Sequence, residues 1–154
     1  MKHASTVAFS ILLLVEPLLA TEPVKRVADF NFDGHDDYCV FVLENGKADQ
    51  WDVFLWNPET EKHEKDSVLS RVINPWPNER EKTVECIWPG GHSGMLFTKD
   101  VYRWMDGKFR LAATVRQESV TVNGRGEFIY VRVRAEMVNG KPQVTEVKRA
   151  VPHW

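Results

Sequence analysis

Apolar and polar residues alternate along most of this chain with a period of two, the period of a strand that buries one face. The alternation is plain in Gln50-Trp51-Asp52-Val53-Phe54-Leu55-Trp56, where Trp51, Val53 and Leu55 share one face and Asp52, Phe54 and Trp56 the other. It returns at Val131, Val133, Ala135 and Met137, set against Arg132, Arg134 and Glu136. Similar runs predict strands over residues 24–28, 38–43, 82–88, 95–104, 109–116 and 144–149, with 119–122 leading into 128–138. Turn residues punctuate them: Asn45-Gly46, Asn57-Pro58, Asp106-Gly107, Asn123-Gly124 and Asn139-Gly140. Asn-Gly supplies the positive φ angles of tight hairpins. Only Ser67 to Ile73 reads as a helix, of one or two turns, stopped at Asn74 because Pro75 disfavours α geometry there. Residues 61–66 read as a charged, solvent-facing stretch and Pro75-Trp76-Pro77 as an irregular connector. The fold class that follows is all-β: an antiparallel meander of about eight short strands, propeller-blade-like or a small sandwich or barrel, with at most one short helix.

The first 20 residues stand apart from that pattern. Met1-Lys2-His3 is a short basic start, and Val7 to Val15 is an apolar run too short to span a membrane as a helix. Pro17 breaks the run, and Leu18-Leu19-Ala20 ends in a small residue suited to signal peptidase. Residues 1–20 are therefore expected to be a cleaved signal peptide, and 21–154 a single β domain in the periplasm, with no second run of membrane length. The formal net charge of −2 argues against a dedicated nucleic-acid binder, whose footprint would be basic.

Between the strands at 24–28 and 38–43 lies Asp29-Phe30-Asn31-Phe32-Asp33-Gly34-His35-Asp36-Asp37. Side-chain oxygens fall at its first, third, fifth and ninth places, with glycine at the sixth for a sharp turn. This spacing lets a short loop wrap a hard cation, and it predicts a calcium site with Asp29, Asn31, Asp33, the His35 carbonyl and Asp37 as ligands. It is not an EF-hand: the position of that motif's bidentate glutamate is Val40, and the residues after the loop are strand-like. The ion is read as a structural staple, because nothing nearby supplies an acid, base or nucleophile. A plain acidic turn without metal is the alternative.

Two cysteines, Cys39 and Cys86, lie in an exported context that permits a disulfide. A bridge would close a loop of about 47 residues and contribute about 4 kcal/mol in the chain-entropy model; two buried free thiols are the alternative. Catalysis finds little support. Gly91-His92-Ser93-Gly94 is followed by Met95 where a nucleophile elbow needs glycine, and by a strand where it needs a helix. His63-Glu64 lacks the second histidine of a zinc helix, and no pair of acids is singled out for glycoside hydrolysis. The chain is expected not to be an enzyme. Gly91, His92, Ser93 and Gly94 are read instead as an exposed tip that contacts a protein partner, or simply as a turn between strands.

Asp-x-Asn-x-Asp-Gly-x-x-Asp between strands resembles the calcium loop of FG-GAP and VCBS-type repeats, which build propeller blades and related sheets. The run Trp51 to Thr60 resembles the second strand and turn of a family of exported bacterial proteins that carry this loop. Leu69-Ser70 with Asn74-Pro75, then Gly90 to Gly94, then Tyr102 to Phe109 continue the likeness in order, over about residues 27 to 112. That family includes periplasmic immunity proteins that block peptidoglycan-cleaving toxins, and its members can resemble periplasmic lysozyme inhibitors. Such inhibitors use a Ser-Gly loop to fill an enzyme cleft, and Ser93-Gly94 is weakly similar to it. The resemblance implies an immunity or inhibitor protein whose partner is a secreted effector or cell-wall hydrolase. The alternative is an envelope module that holds peptidoglycan or another glycan on exposed tryptophans such as Trp76.

Overall fold

The computed structural model describes residues 23–44, 47–91, 95–122 and 127–150. Eleven strands form among them: β1 (Lys25–Ala28), β2 (Asp37–Glu44), β3 (Lys47–Asn57), β4 (Lys62–Lys65), β5 (Val72–Ile73), β6 (Pro75–Asn78), β7 (Thr83–Pro89), β8 (Phe97–Met105), β9 (Lys108–Val122), β10 (Glu127–Val138) and β11 (Lys141–Ala150). They make two antiparallel sheets. One runs β1-β2-β3-β4 with β5 also paired to β3; the other runs β6 through β11 in sequence order. The all-β expectation is met. Both sheets are open, so the barrel alternative is corrected: each is an up-and-down meander in which neighbours in sequence pair, except that β5 returns to β3.

The turns carry the meander as their residues predict. Asp106 (φ 52) with Gly107 (φ 71) joins β8 to β9, and Asn139 (φ 51) with Gly140 (φ 74) joins β10 to β11. Two successive positive φ angles match the right-handed twist of the flanking strands. Asn45-Gly46 and residues 123–126 lie outside the described residues, yet the strands on either side pair, Glu44 with Lys47 and Val122 with Glu127.

The core lies between the sheets. Trp51, Val53 and Leu55 of β3 and Cys39 of β2 contribute from one side, and Val84, Cys86 and Phe109 from the other. Phe30 and Leu69, both from loops, are fully buried with them. Burying side chains of this size stabilises by about 1.5–3 kcal/mol each.

Residues 67–73 do not form the expected helix. Among the described residues there is none. The backbone here is bound to β3 instead: Val53 N donates to Leu69 O (3.2 Å), and Asp66 N donates to Val53 O (2.9 Å). Asp66 Oδ1 accepts from Val68 N and Leu69 N at 2.8 and 2.6 Å, closing a side-chain-capped turn that competes with helix. Arg71 (φ 59) and Asn74 (φ 43) then take left-handed conformations that no helix continues through. The charged stretch is partly strand, β4, with every residue exposed. Pro75-Trp76-Pro77 is the edge strand β6, a place where proline's missing N–H costs no ladder bond. The two runs predicted at 109–116 and 119–122 fuse into the single strand β9.

Cys39 and Cys86 are free thiols in the structure, both buried in the core, the alternative to a bridge that the sequence left open. Burial pushes both thiols up, Cys86 to about 12 with help from the Asp100 charge. At Cys39 burial outweighs the Arg26 guanidinium that pulls the other way. Thiols held un-ionised are packing groups rather than nucleophiles.

Candidate functional site

Three places carry the chemistry read from the sequence or found beside it: the loop before β2, a cavity between β1 and β6, and the tip joining β7 to β8.

The loop is a knot of side-chain-to-backbone hydrogen bonds. Asp29 accepts from Asp33 N at 3.1 Å through Oδ1 and from Gly34 N at 2.9 Å through Oδ2. Asn31 Oδ1 accepts from the same Asp33 N at 3.2 Å, while Asn31 Nδ2 donates to Asp33 Oδ2 at 2.9 Å. Asp33 Oδ1 accepts from His35 N at 2.8 Å. Phe32 (φ 64) and Gly34 (φ 89) are left-handed, which curls the loop tightly enough for these bonds. Phe30 is driven into the core and Phe32 packs against it, so alternate residues anchor the loop.

Asp37, the first residue of β2, is completely buried. Its Oδ2 accepts from Phe30 N at 2.8 Å and Asn31 N at 3.3 Å, and its Oδ1 from Trp56 N at 2.8 Å. One carboxylate thus ties the loop to β3 across the sheet. Burial pushes this carboxyl above its ordinary range, the three backbone N–H groups pull it down, and the Asp33 charge adds to the rise.

The donor set is all oxygen, the class a hard cation takes. Asp29 and Asn31 both accept from Asp33 N, and the Asn31 amide also donates to the Asp33 carboxylate. Asp37 is more heavily committed: a carboxylate has about four acceptor sites, and three are taken. Among the described residues no three His, Cys, Asp or Glu side chains converge as a ready cation cage. The His35 side chain is exposed and contributes no side-chain ligand to the expected set, which called only on its carbonyl.

A cavity of about 520 Å³ opens between the edge strands of the two sheets, walled by Arg26, Ala28, Phe30, Cys39, Pro75 and Trp76. Arg26 stands opposite Cys39 in the β1–β2 register and so points toward the gap between the sheets. Its guanidinium carbon sits 3.8 Å from the Trp51 ring centre and 5.9 Å from that of Trp76. Trp76 is 61% exposed. Sequence reasoning passed over Arg26; the signal available was a cation at a core-facing position of an alternating strand.

The tip between β7 and β8 is closed at its neck by two backbone bonds, Gly90 N to Leu96 O (2.7 Å) and Leu96 N to Gly91 O (3.2 Å). A Cβ on Gly90 would meet the Leu96 carbonyl oxygen at 2.6 Å, so the approach requires glycine there. Gly91 is exposed; His92, Ser93 and Gly94 lie outside the described residues. A buried Gln117 braces the far side, donating from Nε2 to Met95 O at 2.7 Å and accepting at Oε1 from Arg132 Nη2 at 2.8 Å. This bracing residue was also missed, its partners being distant in sequence.

No family model matches the sequence, and no curated protein matches it. A solved structure described as that of a Xanthomonas type IV secretion system related protein is similar in fold, with a TM-score of 0.56 and 13% identity. The match covers 79% of this chain and 57% of that one, so the chain spans little more than half the length of its neighbour. At this identity the likeness shows the fold alone. Among the described residues no helix is long and apolar enough to cross a membrane.

Proposed function

We propose that this chain is an exported, calcium-stabilised immunity or inhibitor protein that blocks a cell-wall-degrading toxin or hydrolase by filling its cleft without turnover. The observation that carries the reading is the clamped neck of the β7–β8 connection: two backbone bonds and a close approach at Gly90 fix Gly90 and Gly91 against Leu96. A neck held in advance lowers the freedom lost on binding, which is where preorganised inhibitors gain affinity. The fold neighbour's description as secretion-system related is in keeping with a partner that is itself secreted. In this reading Asp29, Asn31, Asp33 and Asp37, with the His35 carbonyl, would hold calcium. The ion would tighten the loop between β1 and β2 and, through the Asp37 bond to Trp56, its seating on β3.

Affinity capture with residues 21–154 from envelope and secreted extracts tests the reading. A cell-wall hydrolase should be retained by the wild type and released by His92→Ala or Ser93→Ala, with melting temperature unchanged. Loss of stability with binding intact would sink the role given to the tip.

One observation favours a second reading, a glycan-binding module. Trp76 is exposed at the mouth of a cavity, and an exposed indole offers a stacking face for a sugar ring. Retention on purified cell wall with no protein present, abolished by Trp76→Ala, would select this reading over the first.

A further inference from the structure

Three buried donors have no nitrogen or oxygen acceptor among the described residues: Arg26 Nε and Arg26 Nη2, of a side chain that lines the cavity between β1 and β6 beside the Cys39 thiol, and Trp51 Nε1. Buried donors of this kind are rare in folded proteins, and each calls for an explanation. The two guanidinium nitrogens are not an arbitrary pair. Nε–H and Nη2–H lie along one edge of the planar group, and that edge matches the two oxygens of a carboxylate. Trp51 stacks under the same guanidinium, its ring centre 3.8 Å from the guanidinium carbon. The acid that shares the cavity wall, Glu79, is exposed and accepts from neither nitrogen. The rest of the wall is largely apolar: Ala28, Phe30, Pro75 and the face of Trp76. A cavity of about 520 Å³ is within the usual range for a small-molecule site.

We propose that this cavity is a carboxylate-binding site, in which Arg26 takes the carboxylate side-on and the apolar wall with Trp76 receives a small apolar body attached to it. Arg26 is only half-buried and already lines the cavity, so turning the guanidinium off the Trp51 ring presents its Nε–Nη2 edge to a ligand. The ligand class is an acylated amino acid or the C-terminal residue of a peptide: one carboxylate, no second charge, and a body the size of a leucine or phenylalanine side chain. Nothing in this depends on the tip between β7 and β8 or on calcium.

The test uses residues 21–154 and reads tryptophan fluorescence, since Trp51 and Trp76 both adjoin the guanidinium. The probes are N-acetyl-leucine, its uncharged amide, acetate, and a four-residue peptide ending in leucine with a free or an amidated C-terminus. Saturable binding of N-acetyl-leucine is expected, at least tenfold tighter than that of its amide or of acetate. Arg26→Lys, which keeps the charge but loses the fork, should weaken it at least tenfold, and Trp76→Ala severalfold. The peptide arm identifies the source: tighter binding of the free-acid peptide than of N-acetyl-leucine makes the ligand a chain terminus, and the reverse makes it a free acid. Equal binding of acid and amide, unchanged binding in Arg26→Lys, or no saturable binding of any acid would overturn the proposal. If Arg26→Lys fails to fold, the acid–amide comparison on the wild type and the exposed Trp76→Ala variant still decide it.

Discussion

Asp37→Asn isolates what one buried carboxylate does for this fold. The change preserves shape and removes one acceptor. Wild-type Asp37 accepts from Phe30 N and Asn31 N on Oδ2 and from Trp56 N on Oδ1. An asparagine in the same place has one carbonyl oxygen and one NH₂ group. If its oxygen faces Phe30 and Asn31, its NH₂ confronts the Trp56 N–H, donor against donor. The opposite flip confronts two donors. The better flip loses one bond to a charged acceptor, about 1.5–3 kcal/mol, and leaves a buried donor unsatisfied at about 1–3 kcal/mol. Asparagine is spared the cost of burying a charge, the burial that pushes the Asp37 carboxyl above its ordinary range. The net expected loss is about 2–4 kcal/mol. For a domain of this size that corresponds to a fall in melting temperature of roughly 6–16 °C. Thermal and urea unfolding should be measured in chelator, so that the hydrogen bonds are read apart from any ion. A variant within about 0.5 kcal/mol of the wild type would refute the view that Asp37 holds the loop to β3.

Gly90→Ala should cost about 1–3 kcal/mol, because its Cβ meets backbone at 2.6 Å, while Gly91→Ala, whose nearest neighbour is the end of the Leu96 side chain at 4.0 Å, should stay within about 0.5 kcal/mol; urea midpoints of the two variants check the contrast. Leu69→Ala should cost about 2–5 kcal/mol, the price of a cavity in a fully buried site, measured by the same unfolding curves. Millimolar calcium added to metal-free protein should raise the melting temperature of the wild type, and the rise should vanish in Asp29→Ala. Equal melting with and without the ion would remove calcium from the account.

The sequence made the β3 face legible because a two-residue period has only one way to bury Trp51, Val53 and Leu55 together, and all three are in the core. Asp52, on the opposite face, is buried as well, since Lys65 Nζ and Arg71 N both reach its carboxylate, at 2.6 and 3.0 Å. Those partners lie 13 and 19 residues away, beyond what alternation reports. The helix expected over 67–73 does not form because its backbone groups find partners on β3 and on Asp66. The calcium loop illustrates both sides. Spacing placed Asp29, Asn31 and Asp33 in one cluster, which the hydrogen bonds show. Spacing did not show that Asp37 would serve Trp56 as well, because that contact is made by the sheet. Arg26 was legible only as a cation on the inward face of a short strand; its stacking on Trp51 needed the fold.

The tip between β7 and β8 is proposed to stop a cell-wall hydrolase. It is tested most directly by following the clearing of a cell-wall suspension by the enzyme captured on residues 21–154. Adding wild-type protein in equimolar amount should halt the clearing, and Ser93→Ala of the same melting temperature should fail to halt it. Clearing at an undiminished rate with wild-type protein in excess, or equal inhibition by the variant, would contradict it.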